Sequence, residues 1–222
     1  MAEPALPPHF FARVDESPDA EFYAAPRFVL HIDDATVAAL TALYREELAA
    51  GSRLLDLMSS WVSHLPPEVG YAHVSGLGMN AAELAANPRL DDATVQDLNR
   101  EPVLPYPDSS FDAVLCAVSV QYLTRPVEVF RDCARVLRPG GKLVVATSHR
   151  LFPTKAVAAW RSLGPDDRMR LLAGYLARAG GFAPPRRVDR SPPQADPLWV
   201  AIADREAQTS ADSVRSSTYT PK

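Results

Sequence analysis

An α/β fold around a doubly wound, mostly parallel sheet is predicted by two observations. Short apolar runs, "RLLDL", "YAHVSGLG", "TVQDL", "FDAVLCAV" and "GKLVVATS", recur between residues 53 and 148 with helical patterns among them. Strands alternating with helices imply parallel pairing, because each crossover must return along the sheet. The second observation is a helix with a clear stop. "PVEVFRDCARVLRPGG" carries Pro126 early, apolar residues at 129, 130, 133, 136 and 137, and a Pro-Gly-Gly end directly before the fifth run.

The remaining elements follow in order. "IDDATVAALTALYREELAA" places Val37, Leu40, Leu43, Tyr44 and Leu48 at helical spacing behind the capping candidates Asp33 and Asp34, so an amphipathic helix leads into the first strand. After the fifth strand, "KAVAAWRSL" and "DDRMRLLAGYLARAGG" add helical material, and "PLWVAIADR" reads as a late strand that completes the sheet. Residues 1–20 and 205–222 are polar or proline-rich and lack periodic apolar positions, so they are expected to be flexible ends. One domain is expected over residues 21–204, its first part a helical lid. The 21 prolines cluster in loops, and no internal repeat is visible.

Composition narrows the function classes. With 222 residues and 47% hydrophobic content the chain can bury a substantial core. A net charge of −4 argues against nucleic acid or an anionic membrane surface as a partner and favours a small-molecule substrate. The two cysteines, Cys116 and Cys133, sit in apolar runs that suit buried free thiols and a reducing compartment. No signal peptide or membrane span is read, so a soluble cytoplasmic protein is expected. Oligomeric state is not legible.

In an open α/β sheet, ligands bind beyond the carboxyl ends of the strands. Those ends are residues 56–60, 76–80, 97–99, 119–122 and 148–150. Their order, with "VQDLNREPVLPYPDSSFDAVLCAVSVQYL" and "ARVLRPGGKLVV", resembles the class I S-adenosylmethionine-dependent methyltransferases of the type 11 kind, as a divergent subgroup with a glycine-poor first motif. The resemblance covers roughly residues 51–148. It implies a Rossmann-like, seven-stranded sheet, S-adenosylmethionine as cofactor, and methyl transfer to a small-molecule acceptor. No metal is implied. A nicotinamide cofactor is disfavoured, because no Gly-x-Gly-x-x-Gly follows the first strand.

The resemblance makes Asp56 the acidic end of the first motif and puts Met58, Ser60 and Val62 where glycines usually stand. Glycines there permit positive φ and a close backbone approach, so a differently shaped loop is expected, continuing into a helical start that His64 ends. The acidic residue that pairs with the ribose falls on Gly78. Asn80 can contact the ribose or, with Glu83, form a helix capping box. Asp97 is expected to accept from the adenine amino group, and Arg27, in a lid with Phe22 and Tyr23, is a candidate for the cofactor carboxylate. A solvated arginine stapled to aromatics is the alternative.

The cofactor-binding set is therefore Tyr23, Arg27, Asp56, Met58, Ser59, Ser60, Gly76, Gly78, Met79, Asn80, Asp97, Leu98, Asn99 and Ser119. For the transfer itself the candidates are His149, Tyr122 and His31. His149 has Arg150 and Lys155 nearby, which would suit an anionic substrate. A structural role for His149 and simple packing of Tyr122 are the competing readings. A different function class is also open: a non-catalytic member that uses the scaffold for binding, supported by the missing glycines and ribose carboxylate.

Overall fold

The computed structural model describes residues 6–207. Along the chain the elements are helix α1 (Asp19–Phe22), α2 (Asp34–Glu47), strand β1 (Arg53–Leu57), β2 (His73–Gly78), α3 (Ala81–Ala85), β3 (Asp92–Val95), β4 (Phe111–Ala117), α4 (Pro126–Val136), β5 (Leu137–Thr147), α5 (Ala158–Ser162), α6 (Pro165–Ala179), β6 (Arg186–Asp189) and β7 (Trp199–Asp204). The strands form one seven-stranded sheet in the order β3-β2-β1-β4-β5-β7-β6. β1 to β5 pair in parallel, and β7 runs antiparallel to both β5 and β6. The predicted fold class holds. The polar "RRVD" of β6 is a strand that periodicity does not reveal.

Strand alternation sends successive side chains to opposite faces, so each face has its own core. Leu55, Leu57, Val114, Cys116, Leu143 and Val145 join Phe130 and Cys133 of α4 and Leu172, Tyr175 and Leu176 of α6. Leu54, Val74, Leu115, Val144, Val200 and Ile202 face Leu40, Leu43 and Tyr44 of α2. The α2 helix starts where its sequence says it should: the Asp33 carboxylate accepts from the Thr36 N–H at 2.9 Å, satisfying one of the free donors of the first turn.

Two expectations change. No helix follows β1. Ser59 N–H donates to the Leu77 carbonyl at 2.7 Å, so the backbone stays beside β2. Met58 and His64 have φ of 58° and 54°, in the left-handed region, and Pro66-Pro67 follow, all of which oppose a helix. His64 therefore ends no helix. At the N-terminus, residues 6–20 are tied to the body. The fully buried Lys155 ammonium donates to the Ser17 carbonyl at 2.6 Å and lies 3.2 Å from Asp15 and 3.3 Å from Asp19. Arg13 adds an ion pair to Asp19 at 2.6 Å. At the other end Arg205 bridges to Phe182, and the rest of the expected tail, from residue 208, lies outside the described residues.

Candidate functional site

A cleft of about 1190 Å³, its open mouth included, crosses the carboxyl ends of β3, β2, β1 and β4 under the segment that holds Tyr23, Arg27 and His31. Its floor begins with Asp56, the penultimate residue of β1, only 4% exposed. The hydroxyls of Ser59 and Ser63 both donate to Asp56 Oδ2 at 2.6 Å. Burial pushes this carboxyl up to about 6, and the two hydroxyls work against that rise by favouring the charged form. Asn87 braces the same loop through Ser60 O at 2.9 Å and Ser63 Oγ at 2.8 Å.

The loop's shape leaves no room for the acidic residue that the resemblance places at the end of β2. A β-carbon on Gly78 would stand 2.2 Å from the Ser59 carbonyl oxygen, so nothing larger than glycine fits there. Asn80 takes the capping role. Its Oδ1 accepts from the N–H groups of Ala82 and Glu83 at 3.0 and 3.1 Å, and its Nδ2 donates to the Tyr23 and Ala24 carbonyls at 3.0 and 3.1 Å. Those four bonds use all its polar valences. Glu83 does not complete a capping box; it accepts from Arg27 N–H at 2.7 Å and from the Ser60 hydroxyl at 2.5 Å.

Over β3, Asp97 holds its own turn with one oxygen, accepting from Asn99 N–H at 2.9 Å. Asn99 is committed to structure, donating to Asp19 and to the Tyr122 carbonyl and accepting twice from Thr124. Leu98 is buried beside them. Over β4, the Ser119 hydroxyl lies 3.3 Å from Cys116 Sγ. Above, the Arg27 guanidinium sits 4.5 Å from the Phe22 ring centroid, 5.7 Å from Tyr23 and 5.6 Å from Phe152, and donates to the Phe22 carbonyl at 2.8 Å. Aromatic faces thus hold a cation at the cleft.

Tyr23, Arg27, His31, Asp56, Met58, Ser59, Ser60, Gly78, Met79, Asn80, Asp97, Leu98, Asn99, Ser119 and Tyr122 all line the cleft. Gly76 does not: it is inside β2, where Leu90 would lie 2.4 Å from an added β-carbon. His149 does not either. Its Nε2 is 3.2 Å from Asp196, an acid that also binds Arg150 Nε at 2.9 Å and links the segment before β7 to the start of α2 through Asp33. With Arg150 paired there and Lys155 buried against the N-terminus, neither cation faces a substrate. Tyr122 packs on Phe152 and accepts its backbone N–H at 2.9 Å. His31 meets the Phe152 ring edge at 5.4 Å, and partial removal from water lowers it from its ordinary value.

Sequence reasoning missed Glu83 as a cleft residue, overlooked Trp61, Phe152 and Asp19, and set His64 aside as a helix end, yet all of them line it. Phe152 had a signal, because it follows the fifth strand end. Lys155, set among apolar residues in "FPTKAVAAW", signalled a buried partner for an acid such as Asp19. His64 is neutral, pushed down to about 4 by burial, and its Nδ1 has no partner. Met58, His64 and Val118 all have positive φ and all line the cleft, so backbone strain concentrates at this site.

Residues 59–145 match the family of methyltransferase domains. A solved S-adenosylmethionine-dependent methyltransferase from Mesorhizobium loti has the same fold, with a TM-score of 0.54 at 20% identity over 77% of this chain and 100% of its own. In fold and in the matched segment, which covers under half of its length, the chain is similar to the class I S-adenosylmethionine-dependent methyltransferases, whose cofactor is S-adenosylmethionine.

Among curated relatives, a ubiquinone biosynthesis O-methyltransferase of Xanthomonas oryzae is 38% identical over 79 residues, 36% of this chain and 30% of the relative. A 27-O-demethylrifamycin SV methyltransferase of Amycolatopsis mediterranei is 35% identical over 109 residues, 44% of this chain and 39% of the relative. The chain thus spans well under half the length of these relatives.

Proposed function

We propose that the protein transfers a methyl group from S-adenosylmethionine to a small-molecule acceptor bound in this cleft. The observation that carries the reading is the order of groups along the strand ends. A carboxylate with one oxygen engaged stands over β3 (Asp97), apolar walls follow (Leu98, Met79, Met58), and a cation is caged by aromatic rings above (Arg27). These groups suit an adenine amino group, a flat apolar base and an α-carboxylate, so the residues present fit the cofactor. S-adenosylmethionine, when bound, supplies an electrophilic methyl group on a sulfonium. This chain's residues orient it, exclude water and position the acceptor.

Support for a small-molecule acceptor comes from the two curated relatives, whose names specify quinone and rifamycin chemistry. His31 and Tyr122 are the candidates beside the acceptor, and His149 is withdrawn from that role by its place outside the cleft. No helix among the described residues is long and apolar enough to cross a membrane. We assign a cytoplasmic setting on the strength of the two free, buried cysteines.

A second reading is a non-catalytic binding protein on the same scaffold. The Ser59 carbonyl beside Gly78 favours it, since that contact leaves no space at the end of β2 for an acidic side chain. Calorimetric titration with S-adenosylmethionine and S-adenosylhomocysteine separates the two. Saturable binding of both is expected for the enzyme, and binding of neither leaves the scaffold reading.

A further inference from the structure

We propose that Glu83 accepts the ribose hydroxyls of the adenosyl cofactor, standing in for a carboxylate that the end of β2 has no room to carry; the inference rests on the cofactor reading above. A ribose presents two neighbouring O–H donors, which the two oxygens of one carboxylate can accept together. The carboxylates lining the cleft are Asp19, Asp56, Glu83 and Asp97.

Three of these are placed elsewhere. Asp19 is 6% exposed, with Arg13 and Lys155 on one oxygen and Asn99 on the other. Asp56 is 4% exposed and lies under its two serine hydroxyls at the end of β1. Asp97 stands beyond β3. The strand order β3-β2-β1-β4 leaves the middle of the cleft over β2. A molecule held by Asp97 at its base and by Arg27 at its carboxylate must present its sugar there.

Over β2 the choice narrows to one side chain. Gly78 is held to glycine by the Ser59 carbonyl. Asn80 has both lone pairs of Oδ1 and both Nδ2 protons engaged. Glu83, in the first turn of α3, carries one donor on each oxygen, Arg27 N–H on Oε1 and the Ser60 hydroxyl on Oε2. A carboxylate oxygen has two lone pairs, so each retains one for a ligand hydroxyl. The two protein donors fix the carboxylate's orientation in advance, which lowers the ordering cost of binding. They come from the lid and from the glycine-poor loop, so the departures at Met58–Ser60 and at Gly78 converge on one replacement.

The test compares S-adenosylhomocysteine with its 2′,3′-dideoxy analogue by calorimetry on the full chain and on Glu83→Gln. Glutamine keeps the shape and can still meet Arg27 N–H and Ser60. Wild-type protein is expected to prefer the hydroxylated ligand. The variant should weaken S-adenosylhomocysteine about tenfold, as for one charge-assisted hydrogen bond, while the dideoxy ligand stays within about twofold. Glu83→Asp, which keeps the charge but withdraws it by one methylene, should lose the preference in the same way, and it decides the matter if the glutamine variant does not fold. Equal weakening of both ligands, or of neither, overturns the assignment and leaves Glu83 as a clamp on Ser60 and Arg27. A wild-type chain that binds neither ligand overturns the cofactor reading and this inference with it.

Discussion

The carbonyl oxygen of Ser59 stands 2.2 Å from where a β-carbon on Gly78 would lie, and the Ser59 carbonyl carbon 3.2 Å from it. With Ser59 N–H bonded to Leu77 O, the loop after β1 and the end of β2 form one packed unit. Gly78→Ala must push a methyl group against the Ser59 backbone, and overpacking of this kind costs about 1–3 kcal/mol. Urea unfolding should show that loss. Gly78→Asp, which places a carboxylate at the strand end, should weaken S-adenosylhomocysteine binding. Tighter binding by Gly78→Asp would mean that the loop moves freely and that the contact does not exclude a side chain.

Asp56 gives stability a pH dependence. Its folded-state value, about 6, lies above the ordinary 3.8, so the folded state favours the protonated form. The stabilisation this brings is complete below pH 3.8 and is lost as pH rises to about 6. The gap between the folded and ordinary values corresponds to about 3 kcal/mol by linkage. Asp56→Asn keeps the shape and an acceptor for the serines but cannot ionise. Relative to wild type, its unfolding free energy should rise between pH 4 and 6 by up to about 3 kcal/mol and then level off. A difference independent of pH would show that Asp56 ionises in the folded protein as freely as in water.

What the sequence made legible was local. The apolar runs, the Asp33 cap of α2 and the Pro126 start of α4 are set by neighbours within a turn or two, and each lies where its pattern puts it. Asp97 and the serines after β1 were singled out because a parallel sheet exposes its strand ends on one side, and Arg27 because it follows two aromatic residues before the first long helix; all of them line the cleft. The missing helix after β1 was not legible, since it depends on Ser59 pairing with β2 and on left-handed backbone at Met58 and His64, which no residue type there announces. His149 misled because it follows a strand end, yet Asp196, distant in sequence, holds it outside the cleft. The polar stretch from Arg13 to Asp19 looks like a loose end until Lys155 supplies its partner.

That partnership predicts a large effect at the N-terminus. Lys155 has no exposed side-chain surface, and its ammonium is held by Ser17, Asp15 and Asp19. Lys155→Met leaves the Asp19 carboxylate, 6% exposed, with one cationic partner fewer, and breaking a buried pair costs about 3–5 kcal/mol. Deleting residues 1–18 removes Arg13, Asp15 and Ser17 together and strands the ammonium against Asp19 alone. Both variants should unfold at clearly lower urea concentrations than wild type. A truncated chain as stable as the parent would show that the segment is dispensable.

Arg27 tests the ligand's other end. Its guanidinium lies over Phe22 with one N–H on the Phe22 carbonyl, and its backbone N–H is spent on Glu83, so side chain and main chain do separate work. Substituting the side chain should leave the Glu83 contact in place. If the guanidinium receives the cofactor's α-carboxylate, Arg27→Gln must weaken S-adenosylhomocysteine but not 5′-methylthioadenosine, which shares the nucleoside and sulfur and lacks the carboxylate. The expected loss for the first ligand is about ten- to a hundredfold, the range of a hydrogen bond to a charged group at about 1.5–3 kcal/mol. The second should bind within about twofold of wild type. His149→Ala serves as the control: its imidazole contacts Asp196 outside the cleft, so neither ligand's affinity should change. Parallel losses for both ligands in Arg27→Gln would assign Arg27 to packing the lid on Phe22 and Phe152 and would leave the carboxylate without its cation.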